Sequence, residues 1–226
     1  MSSHGALAAE VETRPRPERE EPVRSAEPVE QDGEHRTGVR LIGPGVFVAV
    51  VGPSGAGKDS VIGCASESLG ALVTVPRRVV TRPPGPGEDH LPATEREFAE
   101  VRASGGYACH WDAHGLRYGL PTCVDEVVRA GGVVLANVSR TALDELERRY
   151  ADFRVVLVTA SDEVRARRLA QRGRESHDDV ARRVARLDPA PGRRVDLVIV
   201  NDGALAEAGD ALTAFLRAAA GRDGDR

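Results

Sequence analysis

The segment Gly52-Pro53-Ser54-Gly55-Ala56-Gly57-Lys58-Asp59-Ser60 holds the only lysine of the chain; the other thirty of its 31 basic residues are arginines. The spacing G-x-x-x-x-G-K lets successive backbone N–H groups wrap the phosphates of a nucleotide, with the lysine reaching the β- and γ-phosphates. An ammonium is a compact point charge and enters such a nest where a broad guanidinium would crowd it. A ligand-free glycine-rich turn between strand and helix is the plain alternative, but it gives no reason for the sole lysine to lie there. Residues Gly52 to Ser60 are therefore the candidate ATP site and Lys58 a candidate catalytic residue. The chemistry they imply is phosphoryl transfer from a nucleoside triphosphate.

Position 59 departs from the motif, which calls for a Ser or Thr hydroxyl on Mg2+. Ser60 does not substitute for it, because one residue turns a helical side chain by about 100°. A carboxylate facing a triphosphate is repelled unless a cation lies between them. That makes Asp59 a candidate Mg2+ ligand, directly or through water. Its competing role is to cap the following helix and complement the helix dipole.

These residues need a frame, and the apolar pattern supplies one. Short apolar runs predict strands at Val46–Val51, Leu72–Val75, Val133–Asn137, Arg154–Thr159 and Val195–Val200. Four of them are almost continuously apolar, as parallel strands covered on both faces should be. Helices are predicted near Asp59–Ser68, Thr94–Ala103, Val124–Ala130, Thr141–Tyr150, Asp162–Gln171, His177–Leu187 and Ala204–Ala219. The alternation implies an α/β fold of three layers around a central parallel sheet. The aromatic, glycine-containing stretch Tyr107–Tyr118 breaks the rhythm and reads as a small β insertion, with Trp111 and Tyr118 as its packing.

Further along lie Thr81-Arg82, then Gly87-Glu88-Asp89-His90, Arg117-Tyr118-Gly119-Leu120-Pro121 and the arginine-rich Arg172-Gly173-Arg174-Glu175. On these motifs, together with the phosphate loop, residues 45–217 resemble the guanylate kinase family. Two departures stand out. The acceptor segment is shorter than in that family, and the acidic residue usual after the central strand is replaced by Asn137, followed by Ser139-Arg140. Gly-Lys-Asp-Ser in the loop, Gly-Glu-Asp-His, and Asn137-Val138-Ser139-Arg140 resemble instead the ribose 1,5-bisphosphate phosphokinases, guanylate-kinase-like enzymes of phosphonate degradation.

The resemblance implies a reaction in which ATP and ribose 1,5-bisphosphate give ADP and 5-phosphoribosyl 1-diphosphate. It makes Arg82 and Arg140 the expected clamps on the acceptor's phosphates, since guanidinium pairs with phosphate through two hydrogen bonds. Arg172, with Arg168 and Arg174, is expected to close over the ATP phosphates from a lid. Glu88, Asp89, His90 and Asn137 are expected either to accept from ribose hydroxyls or to hold those arginines. The competing functions are a nucleoside monophosphate kinase such as guanylate kinase, and a non-catalytic interaction module of the same fold. An intact Gly57-Lys58 and an arginine-rich lid speak against the latter.

The whole-chain composition bounds the rest. A formal net charge of −4 argues against a general nucleic-acid or anionic-membrane binder. No stretch approaches the roughly 18 apolar residues of a membrane span. Three cysteines without ligand spacing fit a reducing compartment, so the expected place is the cytoplasm, as a monomer or homodimer. His90, His110 and His114 have no metal-site spacing. Residues 1–44, with scattered prolines and charges and few apolar side chains, are expected to be a disordered extension, and residues 45–220 the kinase domain.

Overall fold

β1 (Ile42–Val51) buries both faces, and the two sides of the molecule grow from that strand. Val46, Val48 and Val50 pack with Val61 and Ile62 of α1 (Lys58–Leu69) and Leu212 and Leu216 of α6 (Leu205–Ala220). Phe47, Ala49 and Val51 pack on the opposite face with Val124 and Val128 of α3 (Cys123–Arg129) and Leu143 and Leu146 of α4 (Leu143–Glu147). Alternate residues of one strand thus feed two cores, which is why its sequence is an unbroken apolar run. The computed structural model describes residues 41–85, 88–171 and 194–221. Residues 1–40 of the extension expected over 1–44, the expected helix at 177–187 and Arg172 and Arg174 lie outside those residues, whereas Ile42–Pro44 belong to β1.

The central sheet is parallel and five-stranded. Its order is β2 (Val73–Thr74), β7 (Val133–Asn137), β1, β8 (Tyr150–Thr159), β9 (Leu197–Val200). A second sheet runs β4 (His90–Pro92), β3 (Arg78–Val80), β6 (Leu116–Pro121), β5 (Tyr107–Ala113). The hairpin β5–β6 corresponds to the expected insertion. The strands β3 and β4 were not expected: three residues each are too few to show alternation. Helix α2 (Glu95–Ala103) opens with a capping box in which Thr94 accepts from the Glu97 amide and the Glu97 carboxylate accepts from the Thr94 amide.

The expected helix over Thr141–Tyr150 is instead a 3-10 turn at Arg140–Ala142 followed by the five residues of α4. Tertiary contact overrides local preference at its end. Tyr150 is buried, stacks on Phe47 with ring centroids 4.6 Å apart, and starts β8 four residues earlier than the expected Arg154. Its hydroxyl donates to Asp125 Oδ1 at 2.7 Å, and Arg149 Nε donates to the same oxygen at 3.0 Å while its Nη2 pairs with Oδ2. Burial alone would raise the Asp125 carboxyl, but these hydrogen bonds outweigh it and hold it below the usual carboxylate range. The network ties α3 to the entry of β8.

Candidate functional site

The C-terminal ends of the parallel strands converge on one cleft of about 610 Å³, the usual place for a ligand in such a sheet. The loop after β1 forms one wall. Lys58 Nζ donates to the carbonyls of Gly52 at 2.8 Å and Pro53 at 3.1 Å, which holds the ammonium inside the loop. Two more loop carbonyls are held by buried side chains outside the cleft. Arg165 Nε of α5 (Asp162–Gln171) donates to Ser54 O at 3.1 Å, and Asn201 Nδ2 donates to Ala56 O at 2.9 Å. Arg168 Nη1 also reaches Ala56 O, at 3.4 Å.

Glycine is required where this loop meets its neighbours. At Gly52 a Cβ would lie 1.9 Å from the Val158 carbonyl oxygen; at Gly57, where φ is +86°, it would lie 2.5 Å from Asn201 Nδ2. Gly57 leads into α1, whose N-terminal dipole points at the loop.

The facing wall carries Arg82, Glu88, Arg140 and, from the second sheet, Arg78. Arg82 and Glu88 form a two-pronged pair, 2.6 Å and 3.0 Å, and Glu88 Oε2 also accepts from the Gly85 amide at 2.9 Å. The hydrogen bond donated to Glu88 holds the Arg82 guanidinium above its ordinary pKa against the opposing effect of burial. His90 is buried behind this pair, with Nε2 3.1 Å from the Arg82 carbonyl. Of the two roles expected for Glu88 and His90, the geometry favours holding an arginine. Asp89 pairs with Arg77 at 2.6 Å on the exposed side and does not line the cleft.

At the junction of the two walls, Asp59 Oδ1 accepts from Asn137 Nδ2 at 2.7 Å and from Arg78 Nη2 at 3.5 Å. Asn137 ends β7 and stands opposite Val50 of β1, which brings it beside the phosphate loop. Ala56 and Ser60 do not line the cleft: Ala56 is buried beneath the loop, and Ser60 faces solvent one residue around the helix from Asp59. Trp111 and Tyr118 do line it and stack on each other, centroids 5.5 Å apart and rings nearly parallel.

Among the cleft residues, Arg78 and Thr141 had no sequence signal, Ser139 shows only within the Asn137–Arg140 motif, and His114 only as a histidine without metal-site spacing. Arg78 is one arginine among thirty, on a strand too short to read. His114 sits at φ +55° in the β5–β6 turn, where His-Gly marks a turn but not a site. Buried Arg165 shows in the sequence only as part of a helix, because its tie to Ser54 spans 111 residues.

The fold is that of guanylate kinase from Anaplasma phagocytophilum, with a TM-score of 0.58 at 22% identity over 79% of this chain and 87% of that one. Sheet order, phosphate loop and arginine-lined facing wall together define a guanylate-kinase-like P-loop kinase. No protein-family model matches the chain. It is 57% identical over 180 residues to "Ribose 1,5-bisphosphate phosphokinase PhnN" of Pseudofrankia inefficax, covering 80% of this chain and 95% of that protein. The protein of the same name from Chelativorans sp. is 48% identical over 184 residues, 78% of this chain and 87% of its own length. That from Brucella melitensis is 45% identical over 178 residues, 76% and 90% respectively. The chain belongs to the PhnN ribose 1,5-bisphosphate phosphokinase family.

Proposed function

We propose that the protein is an ATP-dependent kinase that phosphorylates ribose 1,5-bisphosphate to 5-phosphoribosyl 1-diphosphate. The observation that carries this reading is the pairing, across one cleft, of a Lys58 phosphate loop with an arginine-bearing wall whose Arg82 is held by Glu88, in a chain of the PhnN family. An oxygen of the acceptor's 1-phosphate, already anionic at neutral pH, attacks the γ-phosphorus of ATP. The bond from that phosphorus to the β,γ-bridging oxygen breaks and ADP leaves. No proton has to be removed from the nucleophile, so the protein's task is alignment and charge neutralisation.

The residues divide that task by position. Loop amides and Lys58 take the donor phosphates; Arg82 and Arg140 take the acceptor's phosphates, with Arg82 set in orientation by Glu88 and His90. Arg172 closes over the donor in this proposal. Asp59 is the residue to hold Mg2+: it is exposed to the cleft, it adjoins Lys58, and only its Oδ1 takes hydrogen bonds among the described residues. A carboxylate oxygen left in that position suits a hard cation that prefers oxygen ligands. When bound, Mg2+ would offset charge developing on the transferred group. The cytoplasm as compartment and a monomer or homodimer as assembly belong to the same proposal. Among the described residues no helix is long and apolar enough to cross a membrane.

Product identification by phosphorus NMR tests the assignment. With ATP, Mg2+ and ribose 1,5-bisphosphate, the diphosphate signals of 5-phosphoribosyl 1-diphosphate should appear at the rate of ADP release. Lys58→Ala should slow both at least about a thousandfold. ADP release without that product would refute the assignment.

A further inference from the structure

P-loop proteins hold Mg2+ with a hydroxyl after the loop lysine and an acidic residue from a neighbouring strand. This chain has the carboxylate after the lysine, at Asp59, and a neutral amide at the end of the neighbouring strand, at Asn137. The two positions are 78 residues apart in sequence and 2.7 Å apart in space. We propose that they are one functional unit in which the metal-supporting carboxylate has moved from the strand to the loop, with Asn137 as the positioning residue that aims it.

Charge and hydrogen bonding explain why the two residues go together. Two carboxylates at this distance would repel, and one would bind a proton or turn away. Two neutral groups would offer no charge to a divalent cation. One carboxylate and one amide keep a single negative charge and a donor to steer it. The Asn137 amide holds Oδ1, and Arg78 approaches the same oxygen at 3.5 Å, so Oδ2 is the oxygen left for a ligand. The pairing also answers a problem of position. Asp59 is at the first turn of α1 with its side chain 69% exposed, where an unsupported carboxylate would sample several rotamers. Asn137 is on a central strand of the sheet, so a hydrogen bond from it transfers the rigidity of that strand to the metal-facing group.

This inference rests on the donor half of the proposed reaction and does not depend on the acceptor. Its test therefore omits the acceptor: binding of a non-hydrolysable ATP analogue is titrated with and without Mg2+, and Mn2+ binding is followed by electron paramagnetic resonance. Asp59→Asn should remove at least about tenfold of the Mg2+-dependent gain in affinity, while metal-free binding should hold or tighten because a carboxylate that repels the triphosphate is gone. Asn137→Ala should weaken Mn2+ binding about threefold to tenfold with the thermal midpoint little changed, a readout that a merely structural hydrogen bond would not move. The exchange D59N/N137D restores one carboxylate and one amide at the same contact, and should recover most of what Asp59→Asn loses. If that exchange fails to fold, D59S/N137D carries the same test. An exchange no better than Asp59→Asn alone overturns the unit. An Asp59→Asn variant with full Mg2+ dependence overturns the metal role of Asp59 as well. Failure to turn over ribose 1,5-bisphosphate would refute the acceptor assignment and leave these binding results standing.

Discussion

Arginine is abundant on this protein, so what distinguishes a working guanidinium is what holds it. Arg82 is fixed by the two hydrogen bonds it donates to Glu88, and Glu88 is fixed in turn by the Gly85 amide. A guanidinium oriented before the acceptor arrives loses little freedom on binding. Glu88→Gln keeps the shape but removes the charge and one acceptor. It should raise the acceptor KM about tenfold while the ATP KM stays within about twofold, measured by ADP release in a coupled assay. An equal rise in both constants would mean that Glu88 supports the cleft generally and does not aim Arg82. Asp89 illustrates the contrast. It has the same charge and lies one residue away, yet it pairs with Arg77 outside the cleft and should be replaceable with little effect on either constant.

At the scale of elements, the site is a set of loop carbonyls held from three directions. Asn201 follows β9 and fixes Ala56 through a buried amide. Asn201→Ala should cost about 1–2 kcal/mol of stability for the lost buried hydrogen bond. It should also raise the ATP KM about tenfold as the loop loosens, seen in urea unfolding and in initial rates respectively. The donor loop was legible in the sequence because its parts are contiguous and its strand and helix flank it. The acceptor wall was only partly legible. Arg82 and Glu88 are near in sequence, but Arg78 acts through the pairing of two three-residue strands. Arg165 and Asn201 act through contacts spanning more than a hundred residues. No local pattern encodes such distances. The short helix α4 has the same cause: the burial of Tyr150 against Phe47 ends it where a local periodicity would have carried it on.

The buried Asp125 network belongs to this scale as well, because it joins α3 to β8. The folded state holds the Asp125 proton less tightly than the unfolded chain does, since its hydrogen bonds to Arg149 and Tyr150 favour the carboxylate. Its contribution is therefore full above the unfolded pKa of about 3.9 and is lost as pH falls through the lower folded value. Asp125→Asn should cost about 3 kcal/mol near pH 7, because it leaves Arg149 without its charged partner. The gap between variant and parent should narrow as pH falls below about 4. Urea unfolding at several pH values reads this directly, and a pH-independent gap would mean that Asp125 acts by packing alone.

At the scale of the whole molecule, a common kinase frame is combined with an altered acceptor half. The parallel sheet and phosphate loop give the donor chemistry that nucleotide kinases share, and they are silent about the acceptor. What turns the choice toward a sugar bisphosphate is membership of the PhnN family together with a facing wall that carries arginines. A cleft that binds its acceptor through two phosphates gains little from a base, so GMP should be a poor substrate. The most direct test of this account is the ratio of kcat/KM for ribose 1,5-bisphosphate to that for GMP, measured with one preparation, saturating ATP and Mg2+. The account predicts a ratio of at least about a hundred, a difference of roughly 2.7 kcal/mol in transition-state stabilisation. A ratio at or below one would contradict it and make the protein a nucleotide kinase.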